Sequence, residues 1–310
     1  MKMYVQKLIR RLFPLNSRQK KAFQEIRSFK STPNCEVACV IFSKDRPIQL
    51  FALLESISEL SQNLGSISII YNYESEEFQK AYEQVQKESP LNIKHFLSDN
   101  KDGFKSTLMN VLKNTSEDIL FFLVDDIVFT HKFDFNLLKG LPFREGIFSL
   151  RLGETIRYSY MARSAQKIPK LKTLTLNNQK LICWNWNEEK LDWGYPLSVD
   201  GHLFCKDEIF VMTQTLDFFA PNSYEKELQR FSRAMKSIKK GFALKKPVLF
   251  NNPCNMVQKE IISNRSGNLS TVELLNKWNE RKSIDVSKFK NHENTSVHEE
   301  LKLTFKARLP

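Results

Sequence analysis

Glycine is scarce in this chain, nine in 310 residues. Neither G-x-G-x-x-G nor G-x-x-x-x-G-K-[ST] occurs, so the glycine-cradled phosphate loops of dinucleotide oxidoreductases and P-loop nucleotidases are excluded. Cysteine is also sparse. Cys35, Cys39, Cys183, Cys205 and Cys254 are odd in number and scattered, with no C-x-x-C pair. That pattern argues against a disulfide framework and fits a reducing compartment. H-E-x-x-H and Cys/His zinc spacings are missing as well. No stretch approaches the roughly 20 apolar residues of a membrane span, and the first residues lack the continuous apolar run of a secretory signal. Repeats and low-complexity tracts are absent. The expectation is a cytoplasmic protein.

The chain does have apolar residues at 41%, charged residues at 26% and 24 phenylalanines, an ordinary globular composition with material for a large core. Its length suits one large α/β domain with a C-terminal elaboration, or two small domains. Formal net charge is +12, and residues 1–30 carry nine Lys/Arg against one Glu. Such an excess suits an anionic partner. Val5, Leu8, Ile9, Leu12 and Phe13 have helical spacing within a basic leader, residues 1–33. A helix lying peripherally on the anionic inner face of a membrane and a helix packed on the domain are both open. The positive charge sits at the leader and the tail, without the interleaved aromatics of a stacking groove, so no specific nucleic-acid partner is expected.

Alternation of short apolar runs and amphipathic segments organises residues 34–130. Val37–Phe42, Ile67–Tyr71, Ile93–Leu97 and Ile119–Val124 read as strands. Between them, helices are predicted from Pro47, over about 75–88, and from Phe104. Strand–helix alternation at this spacing implies a parallel, doubly wound sheet. Past residue 140 the alternation fades. Ile147–Leu152 and Val248–Phe250 read as strands, 206–217 and 222–239 as helices, and 183–205, rich in Trp, Tyr and Gly, as a loop-built surface. This divides the chain into the leader, a 34–250 domain with halves at 34–130 and 131–250, and a polar extension, 251–310.

Open parallel sheets bind ligands beyond the carboxyl ends of their strands. Two polar clusters fall there: Ser43-Lys-Asp-Arg-Pro47 after the first strand, and Asp125-Asp126 after 119–124. Adjacent carboxylates repel unless a countercharge intervenes. Mg²⁺ or Mn²⁺ would do so with oxygen ligands and bridge to a diphosphate. The plain alternative is a pair of loop aspartates capping the next turn.

Val40-Ile-Phe-Ser-Lys-Asp-Arg-Pro-Ile-Gln-Leu50 resembles the opening of GT-A glycosyltransferases, family-2-like: a strand, a polar turn with Arg-Pro, then a helix. Phe122-Leu-Val-Asp-Asp-Ile-Val-Phe129 is similar to their DxD region, with Ile127 in place of the final Asp. The resemblance spans residues 36–240. It implies an α/β fold of GT-A type, a Rossmann-like, mostly parallel sheet flanked by helices, with a loop-rich acceptor-binding C-terminal half. It implies transfer of a sugar from a nucleoside-diphosphate sugar, of the UDP class, to a glycan or lipid-linked acceptor, aided by Mn²⁺ or Mg²⁺, in polysaccharide assembly. Ser43, Asp45, Arg46, Lys105, Asp125 and Gly201 become donor-binding candidates. Asp126 takes the metal, with His298 as the late histidine ligand. Glu225, 24 residues after Gly201, matches the base of inverting members, and Asp200 is its rival.

Each assignment has a plainer reading beside it. Glu225 follows Asn222 at capping-box spacing. Asp200 before Gly201 is also a turn aspartate, and His202 is either an acceptor contact or a satisfied loop histidine. Trp184, Trp186, Trp193 and Tyr195 cluster within twelve residues. They are an acceptor platform, led by Trp193 and Tyr195, or a small core. A nucleotidyltransferase shares this architecture, but its glycine-rich basic loop after the first strand has no counterpart in Ser43–Pro47. A non-catalytic glycan- or nucleic-acid-binding protein is the third reading.

Overall fold

A computed structural model describes residues 15–255, 267 and 269–308. The apolar spacing seen at Val5–Phe13 lies outside the described residues, as do 256–266, 268, 309 and 310. Helix α1 (Ser17–Ser28) opens the described chain. Asn16 accepts from the Gln19 amide and Gln19 returns the bond, a reciprocal cap.

Strand β1 (Val37–Lys44) has seven of eight residues buried. The reason is its alternation: Cys39 and Ile41 enter one core, Ala38, Val40 and Phe42 the other. Helix α2 (Pro47–Leu60) starts on Pro47, whose fixed φ and missing N–H suit a first helical position. It lays Leu50, Leu53, Leu54 and Ile57 on the first core. Then follow β2 (Ile67–Asn72), α3 (Glu76–Glu88), β3 (His95–Ser98), α4 (Phe104–Asn114) and β4 (Ile119–Val124). Phe104, Leu108, Val111 and Leu112 of α4 cover the second core. Each of these large side chains contributes about 1.5–3 kcal/mol by leaving water. Helices on both faces therefore hold the strands, as the alternation predicts.

The second half adds β5 (Ile127–Phe129), β6 (Gly146–Ser149), β7 (Lys172–Leu176), β8 (Gln179–Trp184), β9 (His202–Cys205), α5 (Lys206–Gln214), α6 (Pro221–Leu228), α7 (Ser232–Ile238), β10 (Lys240–Leu244) and β11 (Leu249–Asn251). Nine strands form one sheet in the order β7-β8-β10-β6-β9-β4-β1-β2-β3. β3, β2, β1 and β4 run parallel. β9 turns antiparallel to both β4 and β6, while β10 is parallel to β6. The fold is thus α/β with a large mixed sheet flanked by helices, parallel in its first half.

Two local expectations are corrected, and one strand is added that local pattern does not mark. The single helix over 222–239 is broken by a 3₁₀ turn at Gln229–Phe231, where Gln229 reaches the Leu197 carbonyl at 2.6 Å. The loop-built surface from 183 begins inside β8. Strand β10 escaped notice because it is short and follows a helical, lysine-rich segment. The last residues are also more ordered than their polarity suggests. Helix α8 (Thr271–Asn279) and the paired β12 (Lys282–Ile284) and β13 (Phe305–Ala307) pack on α2 and α3. Trp278 meets Phe51 at 5.3 Å, and its indole donates to Gln84 at 2.7 Å.

Candidate active site

The two polar clusters read from the sequence meet at the carboxyl edge of β1 and β4. Asp45 adopts φ +51° to turn the chain out of β1, and its carboxylate accepts the Glu74 amide at 2.9 Å. That turn sends Arg46 back across the edge. Its Nη1 donates to Asp125 Oδ1 at 2.8 Å and to Asp126 Oδ2 at 3.2 Å, and its Nη2 to the Asn255 carbonyl at 2.5 Å. Asp125 Oδ2 also accepts from the Ser43 hydroxyl at 2.8 Å and the Lys44 amide at 3.1 Å. Ser43 in turn meets the Tyr82 hydroxyl at 2.7 Å. Asp126 Oδ1 accepts from Asn251 Nδ2 at 2.8 Å. Arg46 is only 8% exposed, and its Nε has no hydrogen-bond partner among the described residues.

A second network adjoins the first. Arg151 donates to Asp200 Oδ2 at 3.0 Å, and His298 Nε2 lies 3.6 Å from the same oxygen. The C-terminal segment delivers His298 because the Asn251 amide bonds Val297 O and the Glu299 amide bonds Asn251 O. Glu225 Oε1 accepts from the Ser198 hydroxyl at 2.9 Å and the Val199 amide at 3.1 Å. Among the described residues, no hydrogen bond engages its Oε2.

Carboxylates outnumber cations here, and their titration shows it. Burial pushes Asp126 up to about 6. Arg46 resists this shift, and the charges of Asp125 and Asp200 add to it. Burial, with the charge of Asp200 behind it, pushes Glu225 up to about 7 against Arg151, Ser198 and Val199. Burial would also raise Asp200, but His298 and Arg151 outweigh it and hold that carboxyl below its ordinary value. The surplus of negative charge is a reason for a cation to enter.

Among the described residues, no three His, Cys, Asp or Glu side chains form a group that could hold a metal ion unaided. Mg²⁺ at phosphate sites takes one or two carboxylates and draws its remaining ligands from phosphate and water. Donors of that kind are at hand. Beside Asp126, His298 Nδ1 and Asn251 Oδ1 are buried without hydrogen-bond partners among the described residues. Carboxylate, amide oxygen and imidazole together suit Mn²⁺ or Mg²⁺, so the residues present fit such an ion.

Other candidates fall outside these networks. Lys105 Nζ is spent on the Leu216 carbonyl at 2.6 Å and Asp217 at 3.2 Å. Gly201, at φ +79°, gives its N–H to Phe122 O and its carbonyl to the Leu150 amide, so it shapes the turn that presents Asp200. The reading of His202 as an acceptor contact is corrected. It is fully buried, with Nδ1 3.0 Å from Pro196 O, and burial together with Arg151 drives it down to about 3. The exposed aromatic platform is corrected too. Trp193 has no exposed surface, its indole donates to Ile156 O at 3.0 Å, and its ring lies 5.0 Å from Trp184. The tryptophans are core, and Tyr195 is half-buried beside them. Asn251 and Tyr82 are the contributors that sequence reasoning missed. For Tyr82 the signal was a polar tip at an apolar helical position, with Phe78 and Val85 on the same face.

No family model matches the chain, and no curated protein matches it. Among solved structures it is similar to TarS from S. aureus, at 10% identity and a TM-score of 0.37 over 67% of this chain and 36% of that one. It is also similar to a mannosyltransferase of Pyrobaculum calidifontis solved with GDP-Man and Mn²⁺, at 12% identity and 0.29 over 45% and 47%. A third likeness is to a putative glucose-1-phosphate thymidylyltransferase from Bacillus anthracis, at 10% and 0.40 over 70% and 89%. The chain thus spans well under two thirds of the first two. Likenesses this distant say nothing about activity, and the fold rests on the strand order and helix layers above. No described helix is long and apolar enough to cross a membrane.

Proposed function

We propose that this chain is an inverting glycosyltransferase, moving a sugar from a nucleoside-diphosphate sugar of the UDP class to a hydroxyl of a glycan or lipid-linked acceptor. The observation that carries this is the meeting, on one sheet edge, of the Arg46–Asp125–Asp126 cluster with a carboxyl group poised at about 7, Glu225. A general base works best with a pKa near the working pH. Glu225 has that, and an oxygen free of described hydrogen bonds. Asp200 is held by an ion pair with Arg151 and by contact with His298, which makes it the group that tunes Glu225 and not the base.

Glu225 takes the proton of the acceptor hydroxyl as that oxygen attacks the anomeric carbon. The bond from that carbon to the diphosphate breaks on the opposite face, and the nucleoside diphosphate leaves with the electron pair. Asp126 and His298 would hold a divalent cation, whose contribution when bound is to neutralise the departing diphosphate. Arg46 fixes both aspartates in place.

Thermal shifts with UDP, GDP and CDP, with and without Mn²⁺, test the donor site, because a ligand of the native state raises stability by RT ln(1 + [L]/Kd). A Mn²⁺-dependent shift with one nucleotide, lost in Asp126→Ala, is expected. No shift with any nucleotide would refute the assignment. Release of pyrophosphate in place of a nucleoside diphosphate would identify a nucleotidyltransferase instead.

A further inference from the structure

The tip of β10 carries its own pair of charges. β10 runs parallel to β6, and β6 and β4 both run antiparallel to β9, so β10 and β4 end on the same edge. They are three strand spacings apart, about 14 Å. Where β4 is followed by Asp125 and Asp126, β10 is followed by Lys245 and Lys246. These two lysines, with His131, Lys132 and Lys180, line a groove of about 430 Å³ floored by Leu244 and Val248. The lining holds no carboxylate. Lys245 and Lys246 pair with Glu154 and Glu293 at its margin, while Lys132 and Lys180 have no ion pair among the described residues. The positive field acts on His131, held below its ordinary value by burial and by Lys246, against Glu293.

The groove is built on ordered backbone. Asn177 and Asn178 both have positive φ, 48° and 62°, the two-residue hairpin turn that suits twisted strands. Asn177 Nδ2 ties that turn to the Leu137 and Lys139 carbonyls at 3.0 and 2.7 Å. β8 pairs antiparallel with β10, Leu181 opposite Leu244, so Lys180 and Lys245 stand at neighbouring strand ends.

We infer that this groove binds the phosphate groups of a chain acceptor, a phosphodiester-bearing glycan whose terminal hydroxyl reaches the Asp125–Asp126 edge, about 14 Å along the sheet from the tip of β10. The inference rests on the proposed glycosyl transfer and names its acceptor class. Two features favour a chain over a lipid surface or a nucleic acid. None of the exposed large apolar residues (Tyr158, Phe219, Leu269, Val272, Phe305) lines the groove, and a membrane-binding face needs them. No Phe, Tyr or Trp lines it either, so bases lack the stacking platform of a single-strand groove.

A fluorescent inorganic polyphosphate chain is the probe. Wild type is expected to bind it with an affinity that falls as salt rises. Lys180→Glu/Lys245→Glu is expected to weaken binding by about tenfold or more, while Lys180→Arg/Lys245→Arg retains it. All three proteins should show the same UDP-induced thermal shift. No binding by wild type, or equal binding by the reversed-charge variant, overturns the inference. So does polyphosphate binding that UDP displaces, which would place it in the donor site. Sedimentation with phosphatidylglycerol vesicles supplies the remaining arm. The charge reversal should leave it unchanged, and its loss with polyphosphate binding spared would make lipid headgroups the ligand and overturn the chain acceptor. Absence of a UDP shift in every protein counts against the glycosyltransferase reading alone, because polyphosphate binding still decides the groove.

Discussion

Glu225→Gln separates a carboxyl placed for chemistry from one placed for stability. Gln keeps the oxygen that accepts from Ser198 and Val199 and removes the charge. In the folded protein the carboxyl titrates near 7 against an ordinary 4.5. A carboxyl raised on folding contributes stability that is fully present below its unfolded value and is lost as pH rises through the folded one. The window is therefore pH 4.5 to 7. A shift of that size corresponds to about 3 kcal/mol on the ionised form, reduced to about 1–2 kcal/mol because Glu225 keeps some contact with solvent. Urea unfolding of both proteins from pH 5 to 8.5 reads this out. Glu225→Gln should match wild type at pH 5 and exceed it by about 1–2 kcal/mol at pH 8, while turnover falls by about 10²–10⁴ at unchanged UDP affinity. Parallel stability curves across that range would refute the electrostatic account, and full turnover in the variant would refute the base.

Further outcomes follow from the same geometry. Arg46→Ala leaves two buried carboxylates unpaired and should destabilise by about 3–5 kcal/mol above pH 6, with the loss shrinking as Asp126 protonates, measured by denaturant melts at pH 5 and 8. Gly201→Ala puts a side chain at φ +79° with its Cβ 3.2 Å from Leu249, and a fall of about 1–3 kcal/mol is expected in the same melts. Lys239 is 3% exposed and donates to Glu208 at 2.8 Å and Phe143 O at 2.7 Å. Lys239→Met should therefore lower stability by about 3–5 kcal/mol, and adding a second substitution at Glu208 should recover part of it. Trp193→Phe should reduce stability by about 1–3 kcal/mol through the lost bond to Ile156, without a selective rise in acceptor KM, which separates a core tryptophan from a sugar platform.

The first half of the fold was legible because each element there states its own period. Val37–Phe42 and Ile119–Val124 alternate between two cores, and the helices from Pro47 and Phe104 repeat at three and four residues, so strand, helix and sheet edge follow from local pattern. Knowing that edge was enough to nominate Ser43–Pro47 and Asp125–Asp126. The second half depends on pairing between distant segments. β10 forms where Gly241 lets Trp184 of β8 approach its backbone, a contact no local window contains. The same limit explains the errors among the site residues. Whether Trp193 and His202 face solvent or core depends on what covers them, and segments far away in the chain do the covering. That Arg46 spans both aspartates, that Asn251 holds Asp126 and that His298 arrives beside Asp200 follow from how strands and tail are laid side by side. Residue types and spacing by themselves determined which carboxylates stand at the edge. Only the tertiary structure decided their neighbours and burial, and with them the charge each carries near neutral pH.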